Sequence, residues 1–119
     1  MLIKSFEDII AWQKAGKLTL NIYKQFAFCK DYSFNDQIKR AAVSIMNNIA
    51  EGFERQTDKE FRNFLYIAKG SCGEVRSMLY LAYRLDYIKE TNFLFLQKDV
   101  VEISRLISGL IKTLWLLTL

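Results

Sequence analysis

Gln37 to Glu74, QIKRAAVSIMNNIAEGFERQTDKEFRNFLYIAKGSCGE, is the stretch that decides the fold. Phe34, Ile38, Ala42, Ile45, Ile49 and Phe53 step by three and four. That spacing puts them on one side of a helix predicted over Phe34 to Glu54. A polar seam with the same stepping lies beside them: Gln37, Arg40, Ser44, Asn47 or Asn48, and Glu51. Ala41, Ala42, Ser44 and Ala50 are small enough to let a second helix approach closely. Gly52 weakens the helix near its end and reads as a terminating or bending residue. Thr57, with Glu60 three residues on, is a capping box, and it predicts a long helix over Asp58 to Asp86.

Working outward, the same periodicity predicts two more helices. One spans Phe6 to Phe28, with Ser5 as its cap and Asp8 in the capping-box position. Its apolar arc is wide and has two lines. The first is Ile9, Trp12, Gly16, Leu20, Tyr23 and Ala27; the second is Ala11, Ala15, Leu18, Ile22 and Phe26. After a turn at Cys29 to Tyr32, Ser33 is the expected cap of the second helix, with Asp36 completing its box. The last helix spans Asn92 to Leu117, capped by Thr91, with a core line from Leu96 to Leu117 and a wet side of Lys98, Glu102, Arg105 and Lys112. Five glycines and no proline suit long helices with short connections better than strands and turns. Short connections make neighbours antiparallel. The expected fold is therefore all-α, an up-down-up-down antiparallel four-helix bundle, with residues 1–119 as one domain.

The chemistry is sparse. Histidine is absent, which removes the commonest general base and transition-metal ligand. Neither a Glu-x-x-His pair nor a Gly-rich phosphate loop occurs. Gly70-Ser71-Cys72-Gly73 resembles a nucleophile turn only superficially. It falls inside a continuous apolar period and reads as close helix packing at two small residues. The two cysteines, Cys29 and Cys72, have no metal spacing, and Cys72 reads as a buried thiol. The sequence thus predicts no enzyme, no metal and no cofactor. Ile103 to Leu119 is the most hydrophobic segment, but Arg105 and Lys112 interrupt it, so a core helix is expected and no membrane partner. MLIKSFEDIIAW lacks the pattern of a signal peptide, which points to the cytoplasm.

Two surfaces remain. Uncharged groups of the polar seam (Gln37, Ser44, Asn47, Asn48), with Glu51, fit a register-setting or oligomer contact, or else an ordinary solvent-facing stripe. On the third helix, Lys59, Arg62, Tyr66, Lys69, Arg76, Tyr80 and Arg84 fall opposite the apolar line of Phe61, Phe64, Leu65, Ala68, Cys72, Val75, Leu79 and Ala82. Cations interleaved with aromatic rings suit a phosphate backbone, although a solvated face serving solubility would look similar. The net charge of +4 permits an anionic partner and does not require one.

Gln37-x-x-Arg40-Ala41-x-x-Ser44-Ile45, Asn48-Ile49-Ala50-Glu51-Gly52 and Phe61-x-x-Phe64-Leu65-x-Ile67-Ala68-x-Gly70-Ser71-x-x-Glu74 together resemble a known family. Its members are four-helix bundles often encoded in intervening sequences of bacterial 23S ribosomal RNA genes. Phe6, Trp12, Gln13, Lys14 and Ala15 resemble the family's opening. The resemblance implies antiparallel helices assembled into a ring-like homopentamer. The family is similar to the accessory variability proteins of diversity-generating retroelements, which bind RNA or DNA and a reverse transcriptase through basic surface. With that likeness Arg40, Arg55, Lys59, Arg62, Lys69 and Arg76 become candidate nucleic-acid contacts; Arg40 alone lies inside the motif, and the other five are read from their charge. A protein-interaction module with no nucleic-acid role is the alternative. Met46 stands where the family often has proline, so a straighter second helix is expected, unless Gly52 bends it.

Overall fold

A computed structural model describes residues 3–117 of the chain. Among them lie a 3₁₀ turn, Phe6–Asp8, and four α-helices and no strand: α1 Ile10–Gln25, α2 Tyr32–Phe53, α3 Asp58–Arg84 and α4 Glu90–Leu117. Met1, Leu2, Thr118 and Leu119 lie outside the described residues, so the last two positions of the apolar terminal segment do too. No helix among the described residues is long and apolar enough to cross a membrane.

The cross-helix contacts fix the directions. Between α1 and α2, Thr19 Oγ1 lies 3.2 Å from the Ala42 carbonyl, and Lys39 sits over the Tyr23 ring. Between α2 and α3, Gln37 reaches Glu74 and Ser44 reaches Ser71. Between α3 and α4, Arg62 reaches the Leu114 carbonyl and Gln97 reaches the Arg76 carbonyl. In each of these pairs one helix's numbers rise as the other's fall, so neighbours are antiparallel and the bundle is up-down-up-down. Lys14 pairs with Glu102 across α1 and α4 and closes the ring of helices. The core is one cluster fed by all four helices, with Leu18, Ile22, Ile38, Ile45, Ile49, Leu65, Leu79, Ile103 and Ile107 fully buried.

Local details depart from the sequence expectations. The first helix does not begin at Phe6. Ile9 is extended (ψ 118°) and breaks the chain between the 3₁₀ turn and α1. This lets Ile9 enter the core while Phe6 packs edge-on to Trp12 at 5.1 Å. Ser5 bonds the Asp8 carboxylate, not a backbone N–H. The second helix is capped by Asp31 instead of Ser33: the Phe34 N–H donates to Asp31 Oδ1 at 3.1 Å. Asp36 pairs with Arg40 instead of closing a box. Thr91 lies inside the first turn of α4, where the Phe93 N–H already bonds the Lys89 carbonyl. Thr57 does cap α3, accepting from the Glu60 N–H at 3.2 Å.

α3 stops at Arg84, two residues before the expected end. Asp86 turns left-handed at φ 59°. The Tyr87 N–H then donates to the Ala82 carbonyl (2.8 Å) and the Asp86 N–H to the Tyr83 carbonyl (3.1 Å), a Schellman ending that satisfies two of the last carbonyls.

Gly52 lies one residue before the end of α2, where a terminating residue is expected, and it has a second role. α2 runs unbroken to Phe53, and a Cβ at Gly52 would lie 2.6 Å from Phe64 Cβ and 3.0 Å from Phe61 Cδ1. The missing side chain lets the start of α3 pack directly against α2 here. Conversely, a Cβ on Gly70 or Gly73 would meet nothing within 4 Å. The close packing in that segment belongs to Ser71 and Cys72, which are buried, and not to its glycines.

Candidate nucleic-acid interface

The α2 seam faces α3 within the same chain. Asn48 Nδ2 donates to Ser44 Oγ (2.9 Å) and to the Ser44 carbonyl (2.7 Å). Ser44 Oγ lies 2.9 Å from Ser71 Oγ, and Ser71 donates to the Ile67 carbonyl at 3.2 Å. A hydroxyl has one proton to give, so the chain of bonds runs one way: Asn48 to Ser44 to Ser71 to the Ile67 carbonyl. Gln37 bonds Glu74 (3.3 Å) and Glu51 holds Arg55 (3.0 Å). Asn47 is exposed on the outer side. Of the seam, Gln37 and Ser44 bond across to α3, with Asn48 bracing Ser44, while Arg40 and Glu51 pair within their own segment.

The six cations that the sequence points to separate into distinct environments. Arg40 is exposed and paired with Asp36 at 2.8 Å. Arg55 is paired with Glu51 and lies over the Phe64 ring. Lys59 sits in the first turn of α3 between Asp58 and Glu60. Arg62 does not face solvent as the helical projection predicts; it is 7% exposed. Its guanidinium stacks on Trp115 at 3.9 Å from the ring centroid and donates to the Leu114 carbonyl at 3.4 Å. A cation there also complements the negative C-terminal end of α4. The cause lies on the opposite helix, which no single-helix projection includes.

Lys69 and Arg76 remain exposed, and α4 completes their surface. On α3, Arg62, Lys69 and Arg76 repeat every seven residues; on α4, so do Lys98, Arg105 and Lys112. The antiparallel register set by Arg62 with Leu114 and Arg76 with Gln97 aligns the two rows. Arg76 stands across from Lys98, Lys69 across from Arg105, and Lys112 beyond them. A groove of about 340 Å³ between the helices is lined by Arg76, Tyr80, Lys98 and Arg105, with Glu102 as its acid. That acid is already engaged: Lys14 Nζ lies 2.6 Å from Glu102 Oε1. The hydrogen bond from Lys14 holds the Glu102 carboxyl below its ordinary range and raises the Lys14 ammonium. Among the described residues, Lys69, Arg76, Lys98, Arg105 and Lys112 have no carboxylate within ion-pair distance. The α4 half of this face escapes a sequence reading, because its cations look like no more than the wet side of a core helix. The signal that could find it is the shared seven-residue spacing.

No group of three or more His, Cys, Asp or Glu side chains among the described residues could hold a metal ion. Burial pushes the Cys72 thiol up to about 12, so it is no nucleophile at neutral pH.

Comparison with known proteins agrees with this architecture. A search of curated proteins found no match. Among solved structures, the chain is similar to a protein of unknown function from the S23 ribosomal protein family of Bacteroides thetaiotaomicron. The two are 27% identical with a TM-score of 0.81, over 87% of this chain and 96% of that one. The family model for 23S rRNA-intervening sequence proteins matches residues 7–109, which span most of the 3₁₀ turn, α1 to α3 and most of α4. With that match and the antiparallel bundle in agreement, the chain belongs to the 23S rRNA-intervening sequence protein family.

Proposed function

We propose that this chain is a non-enzymatic, homo-oligomeric bundle that binds nucleic acid across the α3–α4 face. The observation that carries the reading is the double row of Lys69, Arg76, Lys98, Arg105 and Lys112, whose groove is lined by a single acid, Glu102, already paired with Lys14. Like charges held together on a folded surface repel one another. A polyanion relieves that repulsion and releases its own counterions on binding. Copies of the face around an oligomer would multiply the charge without a stronger motif, and a ring of five is the arrangement that the resemblance implies. The exposed apolar surface of α1, Leu20 and the part of Tyr23 that Lys39 leaves open, supports self-assembly.

The test is a binding titration with labelled RNA and DNA across a salt series. The expected affinity falls steeply with salt, and Lys98→Glu with Arg105→Glu abolishes binding while helicity by circular dichroism is unchanged. Milder single substitutions, Lys98→Gln or Arg105→Gln, should each reduce the slope of log affinity against log salt by about 0.7 to 0.9 for every phosphate no longer neutralised. Absence of binding at low salt, or binding indifferent to salt, sinks the proposal. A protein-assembly module with no nucleic-acid role is the second reading, favoured by the exposed Phe28 and Tyr32 at the α1–α2 turn. It predicts a protein partner retained at high salt.

A further inference from the structure

We infer that the nucleic acid taken by the α3–α4 face is single-stranded, with its bases stacking on Tyr66, Tyr80 and Trp115; this rests on the nucleic-acid reading above. Three large aromatic rings flank the cations on the same face, and each is about half exposed: Tyr66 49%, Tyr80 50% and Trp115 49%. About half of each ring is thus left outside the packing of the bundle.

Their placement is ordered. Along α3 the face reads Tyr66, Lys69, Arg76, Tyr80, so the two tyrosines bracket the two cations. Fourteen residues separate the tyrosines, about 21 Å along the helix. Trp115 of α4 joins Tyr66 at one end, its Nε1 donating to Tyr66 Oη at 3.2 Å. Arg62 stacks on the indole at 3.9 Å and fixes its plane. At the other end Tyr80 packs edge-on against buried Phe93 at 5.2 Å. Each ring is braced by a neighbour, so its exposed surface is oriented before any ligand arrives and little rotamer freedom remains to be lost.

The strandedness follows from which surfaces a nucleic acid can offer. In a duplex the π-faces of the bases are stacked on one another, and only phosphates, sugars and groove edges face outward. Such a ligand would use Lys69, Arg76, Lys98 and Arg105 and gain nothing from the rings. A single strand presents both phosphates and base faces, and every base has a π-face, so recognition needs no sequence motif. Alternating cations and fixed rings match that ligand.

The experiment compares a labelled oligothymidylate with a blunt duplex of equal length at matched salt. The single strand should bind at least about tenfold more tightly. Tyr66→Ala with Tyr80→Ala should cut most of that margin and leave duplex binding unchanged, whereas Tyr80→Phe, which keeps the ring, should retain it. In a Trp12→Phe background, Trp115 is the sole indole, and oligothymidylate should quench its emission while the duplex does not. Equal or tighter duplex binding, or a single-strand margin undiminished by loss of both tyrosine rings, overturns the inference and leaves the nucleic-acid reading standing. If neither ligand binds at low salt, both fail.

Discussion

Gly52 shows what a single residue decides in this bundle. A Cβ there would fall 2.6 Å from Phe64 Cβ, a distance that real Cβ contacts essentially never show, and 3.3 Å from the Phe61 carbonyl oxygen. Those atoms belong to the helix backbone and its first side-chain carbons, so no flexible tip can swing aside. Helix propensity alone would make Gly52→Ala stabilising by somewhat under 1 kcal/mol. The clash reverses the sign, because relieving it means moving α3 off α2. We expect Gly52→Ala to lower stability by about 1 to 3 kcal/mol, read as a drop in the urea midpoint at unchanged m-value. A rise in the midpoint would mean that the two helices part without cost. The sequence marks Gly52 as unusual but does not reveal the cause, since a glycine near a helix end looks the same whether it ends the helix or admits a neighbour.

At the scale of elements, the body of each helix is legible in the sequence, as is the Thr57 cap of α3, but several other ends are not. Stripes such as Ile38, Ala42, Ile45 and Ile49 are buried as their spacing implies. Ser33 and Thr91 are chemically good caps, yet Asp31 caps α2 and α4 starts before Thr91. Asp31 prevails because it holds two jobs at once. Its Oδ1 accepts from the Phe34 N–H, and its Oδ2 accepts from Tyr87 Oη at 2.7 Å, joining the start of α2 to the α3–α4 connection. The Tyr87 hydroxyl is the larger cause that holds the Asp31 carboxyl below its ordinary range, and the same bond raises the Tyr87 phenol. The signs set a window. A lowered carboxyl contributes stability above its unfolded value, near pH 4, which is lost as pH falls through the folded value. A raised phenol contributes below its unfolded value, near pH 10, which is lost as pH rises through the folded value. Tyr87→Phe should therefore destabilise the bundle at neutral pH and flatten the loss of stability on both flanks. Urea midpoints across the pH range check this, and a variant that only shifts the whole curve down without flattening it would contradict the assignment.

The whole molecule adds what no single helix carries. The cationic face exists because α3 and α4 place two seven-residue rows side by side, and Arg62 leaves the outer surface because Trp115 arrives from α4. The same reasoning applies to the first helix, whose two apolar lines fare differently. Ala11, Ala15, Leu18, Ile22 and Phe26 are buried, while Leu20 and Tyr23 of the other line stay 63% and 45% exposed. Four helices form one shared core, and the arc of α1 is wider than its two neighbours cover. Leu20 contributes little to the stability of one copy, so it separates folding from assembly. Leu20→Lys should change the unfolding free energy of the chain itself by no more than about 0.5 kcal/mol, and Tyr23→Ser by somewhat more, because its ring also carries Lys39 of α2. The same pair should shift the mass measured by light scattering from an oligomer to a single chain. It should also weaken nucleic-acid binding, because one copy presents one cationic face where an oligomer presents several. A parent chain that is monomeric at micromolar concentration would remove the assembly. An oligomer that survives both substitutions would place its contact on a different face. A variant that becomes monomeric yet binds with undiminished affinity would show that a single α3–α4 face suffices.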